Sequence, residues 1–200
     1  MTHTQKPVVV KLSTPPNIVG AIPSFIGFHP EESLVVICLR GPRKRNGLIM
    51  RTDLPRKDDT RPYAAEIAKR AAADGADGVI LVIYTAAADH DGDLPRRDLV
   101  VALLEELDSR DIGYTELLLV RDGKWSSYTC AQECCPPEGT PLPATPSSEL
   151  LELEAQRALQ GRAVLPSRTA LADTVRGPRS LRLVALEQRY EVAGPAFGDE

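Results

Sequence analysis

The chain is poor in aromatic side chains, which make up 4% of its 200 residues. Its core must therefore come from Val, Leu, Ile and Ala, and a base-stacking nucleic-acid surface lacks raw material. No segment approaches the apolar length that spans a bilayer. The N-terminal "MTHTQKPVVV" lacks the apolar core and cleavage region of a secretory signal. A cytoplasmic location without membrane contact is expected on these grounds. Neither of the two common glycine-rich phosphate loops occurs, and there is no H-E-x-x-H helix. The G-x-S-x-G nucleophile elbow is also missing. Common nucleotide-binding and hydrolase classes lose weight accordingly.

What is present is an ordinary globular composition, 42% apolar and 26% charged, with net charge −4. That balance gives no bulk attraction to nucleic acid or to anionic membranes. The local exception runs from 40 to 61, where Arg40, Arg43, Lys44, Arg45, Arg51, Arg56, Lys57 and Arg61 outnumber Asp53, Asp58 and Asp59. This stretch is either a solvated hairpin tip and loop or a patch for an anionic partner, with Arg43, Lys44 and Arg45 at its tip.

Periodicity predicts an order of β-α-β-β-α-β-α-β-β followed by helices. The β-branched run Pro7–Ser13 is a candidate first strand. Thr14 caps a helix that has Pro15 at its first position, and Pro23 should kink or interrupt it. "SLVVICLR" and "GVILVIYT" are continuous apolar runs, as expected of strands buried on both faces. "GPRKRNG" turns the first of these into a return strand, "LIMRTDL". Two helices, "TRPYAAEIAKRAAADG" and "DLVVALLEELDSRDIG", flank the second run, and Leu99, Leu103, Leu104 and Leu107 share one face of the latter. A hairpin turning at Asp122-Gly123 follows. Alternating strands and helices favour a layered α/β domain on a mixed, mainly parallel sheet. The expected organisation is an α/β domain over 1–135, a Pro-rich connection over 136–146, and a helical C-terminal region over 147–200. That last region contains two or three short helices ended by Gly161, Gly177 and Gly194.

The chemically loaded segment is "WSSYTCAQECCPPEGTPLPATP", which holds the only Trp and three of the four cysteines. Structural zinc needs four tetrahedral ligands, usually in two spaced pairs. Cys130, Cys134 and Cys135 supply three, and a fourth would have to be Cys38, His29, His90 or Glu133. A labile disulfide from Cys130 to Cys134 or Cys135 is the second reading. The third is a structural elbow, in which small buried thiols lie under a proline-rich wrap.

Two further segments carry candidate chemistry. In "FHPEES", His29 could act as a base oriented by Glu31 or Glu32. Ligands of open α/β sheets favour the carboxyl ends of strands, however, and this loop precedes a strand, so it is read as structural. "DHDGD" follows the strongest strand, in the right place for a site. There His90, Asp91 and Asp93 could hold a divalent cation, although the spacing fails the EF-hand template.

Three segments, "IVGAIPSFIGFHPEESLVVICL", "VRDGKWSSYTCAQECCPPEGTPL" and "AVLPSRTAL", resemble in order and spacing the actinobacterial domain of unknown function 4192 family. The resemblance covers roughly 12–171 and is most specific at Trp-x-x-Tyr-x-Cys followed by Cys-Cys-Pro-x-x-Gly. It implies an intracellular protein of an actinobacterium or of a virus that infects one. It also implies a helical region after the α/β part, and it carries over no catalytic residue.

The leading expectation is a non-enzymatic module that binds a protein partner or itself. Its surface would be the region after Pro146, where Leu150, Leu151, Leu153, Leu159 and Val164 offer apolar area. The alternatives are a thiol- or metal-dependent enzyme or redox sensor at Cys130, Cys134 and Cys135, with zinc the candidate metal, and nucleic-acid binding through Arg43, Lys44 and Arg45.

Overall fold

A computed structural model describes residues 11–90, 92–130, 132 and 135–176. The first helix, α1 (Pro15–Ile26), starts after Thr14 and ends in a left-handed Gly27, whose amide donates to Pro23 O. Pro23 lies inside it without interrupting it. Strands β1 (Ser33–Arg40) and β2 (Arg45–Asp53) form the first hairpin. After a short 3-10 turn come α2 (Thr60–Ala73), β3 (Gly78–Tyr84), α3 (Arg97–Asp108) and β4 (Gly113–Arg121). β5 (Lys124–Ser127) returns through Asp122 and Gly123, both at positive φ, the pattern of a tight hairpin turn. β6 (Thr140–Pro141), α4 (Ser148–Leu159) and α5 (Arg168–Val175) complete the described elements. Of the candidate strand Pro7–Ser13, the last three residues are not in a strand, and the rest lies outside the described residues, as does the third C-terminal helix.

The six strands form one mixed sheet in the order β2-β1-β3-β4-β5-β6. The α/β layering is as expected. Adjacent pairing is mostly antiparallel, however, and only β3 and β4 run side by side in the same direction. A common direction for β2, β3, β4 and β6 still follows from those pairings. The expected bias survives in strand direction but not in neighbour pairing, because each hairpin inserts an antiparallel strand between or beside the crossover strands.

Strand periodicity divides the core in two. Leu34, Val36 and Cys38 of β1, with Val79, Leu81 and Ile83 of β3, meet the buried faces of α2 and α3. Val35, Ile37 and Leu39, with Ile80, Val82 and Tyr84, face α1 instead. The Ala-rich face of α2 (Ala64, Ala68 and Ala71, all fully buried) lets that helix lie close to the sheet. α4 docks on α1 where Gly20 leaves room: a Cβ there would sit 2.6 Å from Leu150 Cδ1. The arm beyond α4 is pinned by Leu165, whose amide donates to Gly27 O at 2.8 Å and whose carbonyl accepts from His29 N at 3.2 Å. Among the described residues, no helix is long and apolar enough to cross a membrane.

Candidate functional site

The topology changes how the His29–Ser33 loop is understood. β1 runs against β2, β3 and β4, so the loop before β1 lies at their carboxyl ends, the side where ligands bind in open α/β sheets. Its Glu32 carboxylate is nonetheless occupied structurally. Glu32, held at φ 40, accepts from Thr85 Oγ1 at 2.9 Å and from the Ala86 amide at 2.7 Å. It thereby clamps the end of β3. Buried Ser33 accepts from Arg51 Nε at 2.8 Å, and the Arg51 guanidinium also pairs with Asp53 and lies 5.7 Å from the Phe28 ring centroid. Glu31 contributes its backbone carbonyl to this arrangement, accepting from Arg51 Nη2 at 3.3 Å.

The loop after β3 is likewise held by arginines. His90 and Asp93 exchange backbone hydrogen bonds across a tight turn, at 3.0 and 2.9 Å. The Asp93 carboxylate pairs with Arg97 at 2.7 Å, and Asp89 pairs with Arg121 at 2.8 Å. Asp91 lies outside the described residues. No cluster of three or more His, Cys, Asp or Glu side chains suited to a metal ion occurs among the described residues. Arg96, at φ 61 before α3, approaches Asp98 at 3.6 Å with little solvent exposure.

At the cysteine corner, the conspicuous aromatic pair splits between layers. Trp125 packs on the α1 side of the sheet and Tyr128 on the α2–α3 side. The Tyr128 hydroxyl donates to Pro95 O at 2.6 Å, and burial raises its pKa above the usual phenol range. Cys130 is half-buried, and its amide donates to Ser127 Oγ at 3.1 Å. Half-buried Cys135 packs against the Trp125 cluster, and its amide donates to Gln132 O at 2.8 Å. Cys134 lies outside the described residues. Cys38 is remote in sequence and fully buried on the opposite face, where burial pushes its thiol from 9.0 to about 11. The Pro-rich segment does more than connect: Thr140 and Pro141 pair with Trp125 and Lys124 as a sixth strand.

Among the cavities on the α1–α4 face, two lie at opposite ends of the sheet. One, of about 490 Å³, lies at the carboxyl ends between α1, α4 and the wrap. Tyr84, His29, Asn17 and Glu154 are its polar side chains of interest, amid Val19, Leu142, Pro143 and Leu150. The buried Tyr84 hydroxyl has no hydrogen-bond partner among the described residues, and burial raises its pKa. The other, of about 570 Å³, lies at the opposite end of the sheet beneath the basic hairpin tip.

A family model described as Domain of unknown function (DUF4192) matches residues 15–199. The chain belongs to the DUF4192 family. No curated protein and no solved structure matches it.

For this DUF4192 chain, sequence reasoning singled out Arg43, Lys44 and Arg45 but could not join them to an apolar floor. It passed over Tyr84 as an ordinary last strand residue, and Lys11 as part of a strand. Continuous apolar runs conceal which of their members face a gap rather than a neighbour. The signal for Lys11 was weak too, because a lone lysine before a helix is commonplace.

Proposed function

We propose that this protein is a non-catalytic association module that uses its α4–α5 arm to bind a second copy of itself. The observation that carries this reading is the division of leucines along the arm. Leu150 and Leu153 are buried against the body, whereas Leu151, Leu159, Leu171 and Val175 remain exposed, Leu159 at 77% and Val175 at 84%. Apolar side chains of this size, presented along one arm, gain by leaving water on association. Arginines and carboxylates are interleaved with them (Glu152, Arg157, Arg168, Asp173), so two copies can meet without like-charge blocks.

The test is sedimentation velocity on the full chain over a range of concentrations. Association that rises with concentration, and is lost in a Leu159→Lys/Val175→Lys variant of unchanged circular dichroism, is expected. A wild-type chain that stays monomeric throughout overturns the reading. Truncating the arm is a poorer test, because Leu150 and Leu153 belong to the core and their removal would expose the sheet.

A further inference from the structure

The cavity under the hairpin tip unites two kinds of surface that rarely meet by accident. Its floor is apolar, formed by Phe25, Leu39, Ile80 and Leu153 from the helices and sheet, with Leu12 at the side. Its rim carries Lys11, Arg43, Lys44 and Arg45, and no carboxylate lines it. None of these four cations has an ion-pair partner among the described residues. Two of the acids at this end of the sheet are committed elsewhere. Asp74 pairs with Arg40 and accepts from the Leu48 amide, and Asp77 accepts from the Gly41 amide.

The tip is also held in place. Lys44 sits at φ 46, a conformation that glycine adopts more readily. Its ammonium donates to Thr115 Oγ1 at 3.2 Å, tying the tip to the start of β4 across the cavity. A lysine kept where glycine is easier, with its charge aimed over an apolar floor, favours a requirement for that side chain.

We propose that this cavity binds a small amphipathic anion, with a phosphate or carboxylate head at the Lys11, Arg43, Lys44 and Arg45 rim and an apolar body on the Phe25–Ile80–Leu153 floor. The volume suits a small molecule. Guanidinium forks match planar or tetrahedral oxyanions, and the floor supplies an apolar contact that inorganic phosphate cannot use. A second copy meeting it rim to rim is a poor occupant, since it would bring four more cations to the same place. Nucleic acid would engage the rim and leave the floor unused. Glu116 does not line the cavity, but it pairs in register with Ile80 of the floor, so its carboxylate on that side of the sheet would oppose an anion there. This proposal does not depend on association through α4–α5.

The experiment is calorimetric titration of the full chain with decyl phosphate and with decanoate below their micelle concentrations. Inorganic phosphate and decanol serve as the head-only and tail-only controls. One-to-one binding of either amphiphile, at least about tenfold tighter than both controls, is expected. Arg43→Gln/Arg45→Gln, two exposed positions that leave the core intact, should weaken that binding about tenfold, and Glu116→Gln should strengthen it. Added salt should weaken it as well. The proposal is overturned if neither amphiphile binds or if phosphate alone binds equally well. It is also overturned if the double variant leaves affinity unchanged, or if only DNA or RNA binds.

Discussion

The two faces of the sheet are built from similar side chains but finished differently. On one face, α2 and α3 follow consecutive crossovers and lie side by side. Their Ala and Leu stripes meet β1, β3 and β4 in the larger core cluster. On the other, α1 arrives before the sheet begins and α4 only after the chain has wrapped its edge. Gly20 and Leu150 join these two helices at one crossing, and a cavity remains at each end of the layer. Crossover helices are placed by the strands on either side of them and so cover the sheet well. Helices delivered by long connections lack that constraint. The first face opens only at its border, in a cavity of about 570 Å³ between β2 and α2, whereas the second opens at both ends of its helix pair.

The sharpest way to break this contrast is a matched pair of truncations. Leu103→Ala, fully buried on the closed face, should cost about 4 kcal/mol in chemical denaturation. Leu150→Ala, which borders the carboxyl-end cavity, should cost nearer 2 kcal/mol, because the neighbouring space already exists. Equal costs would mean that the faces are packed alike.

A smaller effect should come from Glu32→Gln, which weakens the clamp on Thr85 and Ala86 at the end of β3. A loss of about 1–2 kcal/mol is expected in the same denaturation assay, and no change would show the clamp to be ornamental.

Alkaline pH addresses the closed face through Cys38. Its folded pKa is about 11, against 9.0 for an ordinary thiol. The folded chain therefore keeps a proton that the unfolded chain releases, and this contribution to stability declines from pH 9.0 up to about 11. Buried Tyr84 and Tyr128, also raised by burial, push in the same direction from their ordinary value of 10.0 upward. Cys38→Ala should flatten the pH dependence between 9.0 and about 11, measured as the denaturation midpoint against pH. At neutral pH, Cys38 should resist alkylation until the protein unfolds, as read by mass spectrometry of labelled peptides. The smallest effect is expected at exposed Leu159: Leu159→Ala should change stability by less than about 0.5 kcal/mol.

Local signals made much of this architecture legible. Continuous Val-Leu-Ile runs marked β1 and β3, the Leu99–Leu103–Leu107 stripe marked α3, and Asp122-Gly123 marked the second hairpin. Neighbour order was harder, because strand direction depends on pairing between segments far apart in sequence. That is why the Glu32 loop was assigned to the structural end of the sheet although the antiparallel course of β1 puts it at the other. β6 was hidden by its prolines, which suppress a strand pattern except at an edge. Of the candidate site residues, the arginines at 43 and 45 were visible as charge. Their relation to Phe25, Ile80 and Leu153 was not, since no local pattern brings those four segments together.

Pro141 gives the sheet a terminus. It has no amide hydrogen to offer, and β6 is only two residues long, so the boundary beyond β5 is a poor template for an incoming strand. Growth of the sheet from one molecule into the next is blocked on that border. Assemblies that form there must recognise side chains, which sequence can tune, rather than backbone, which every unfolded chain possesses.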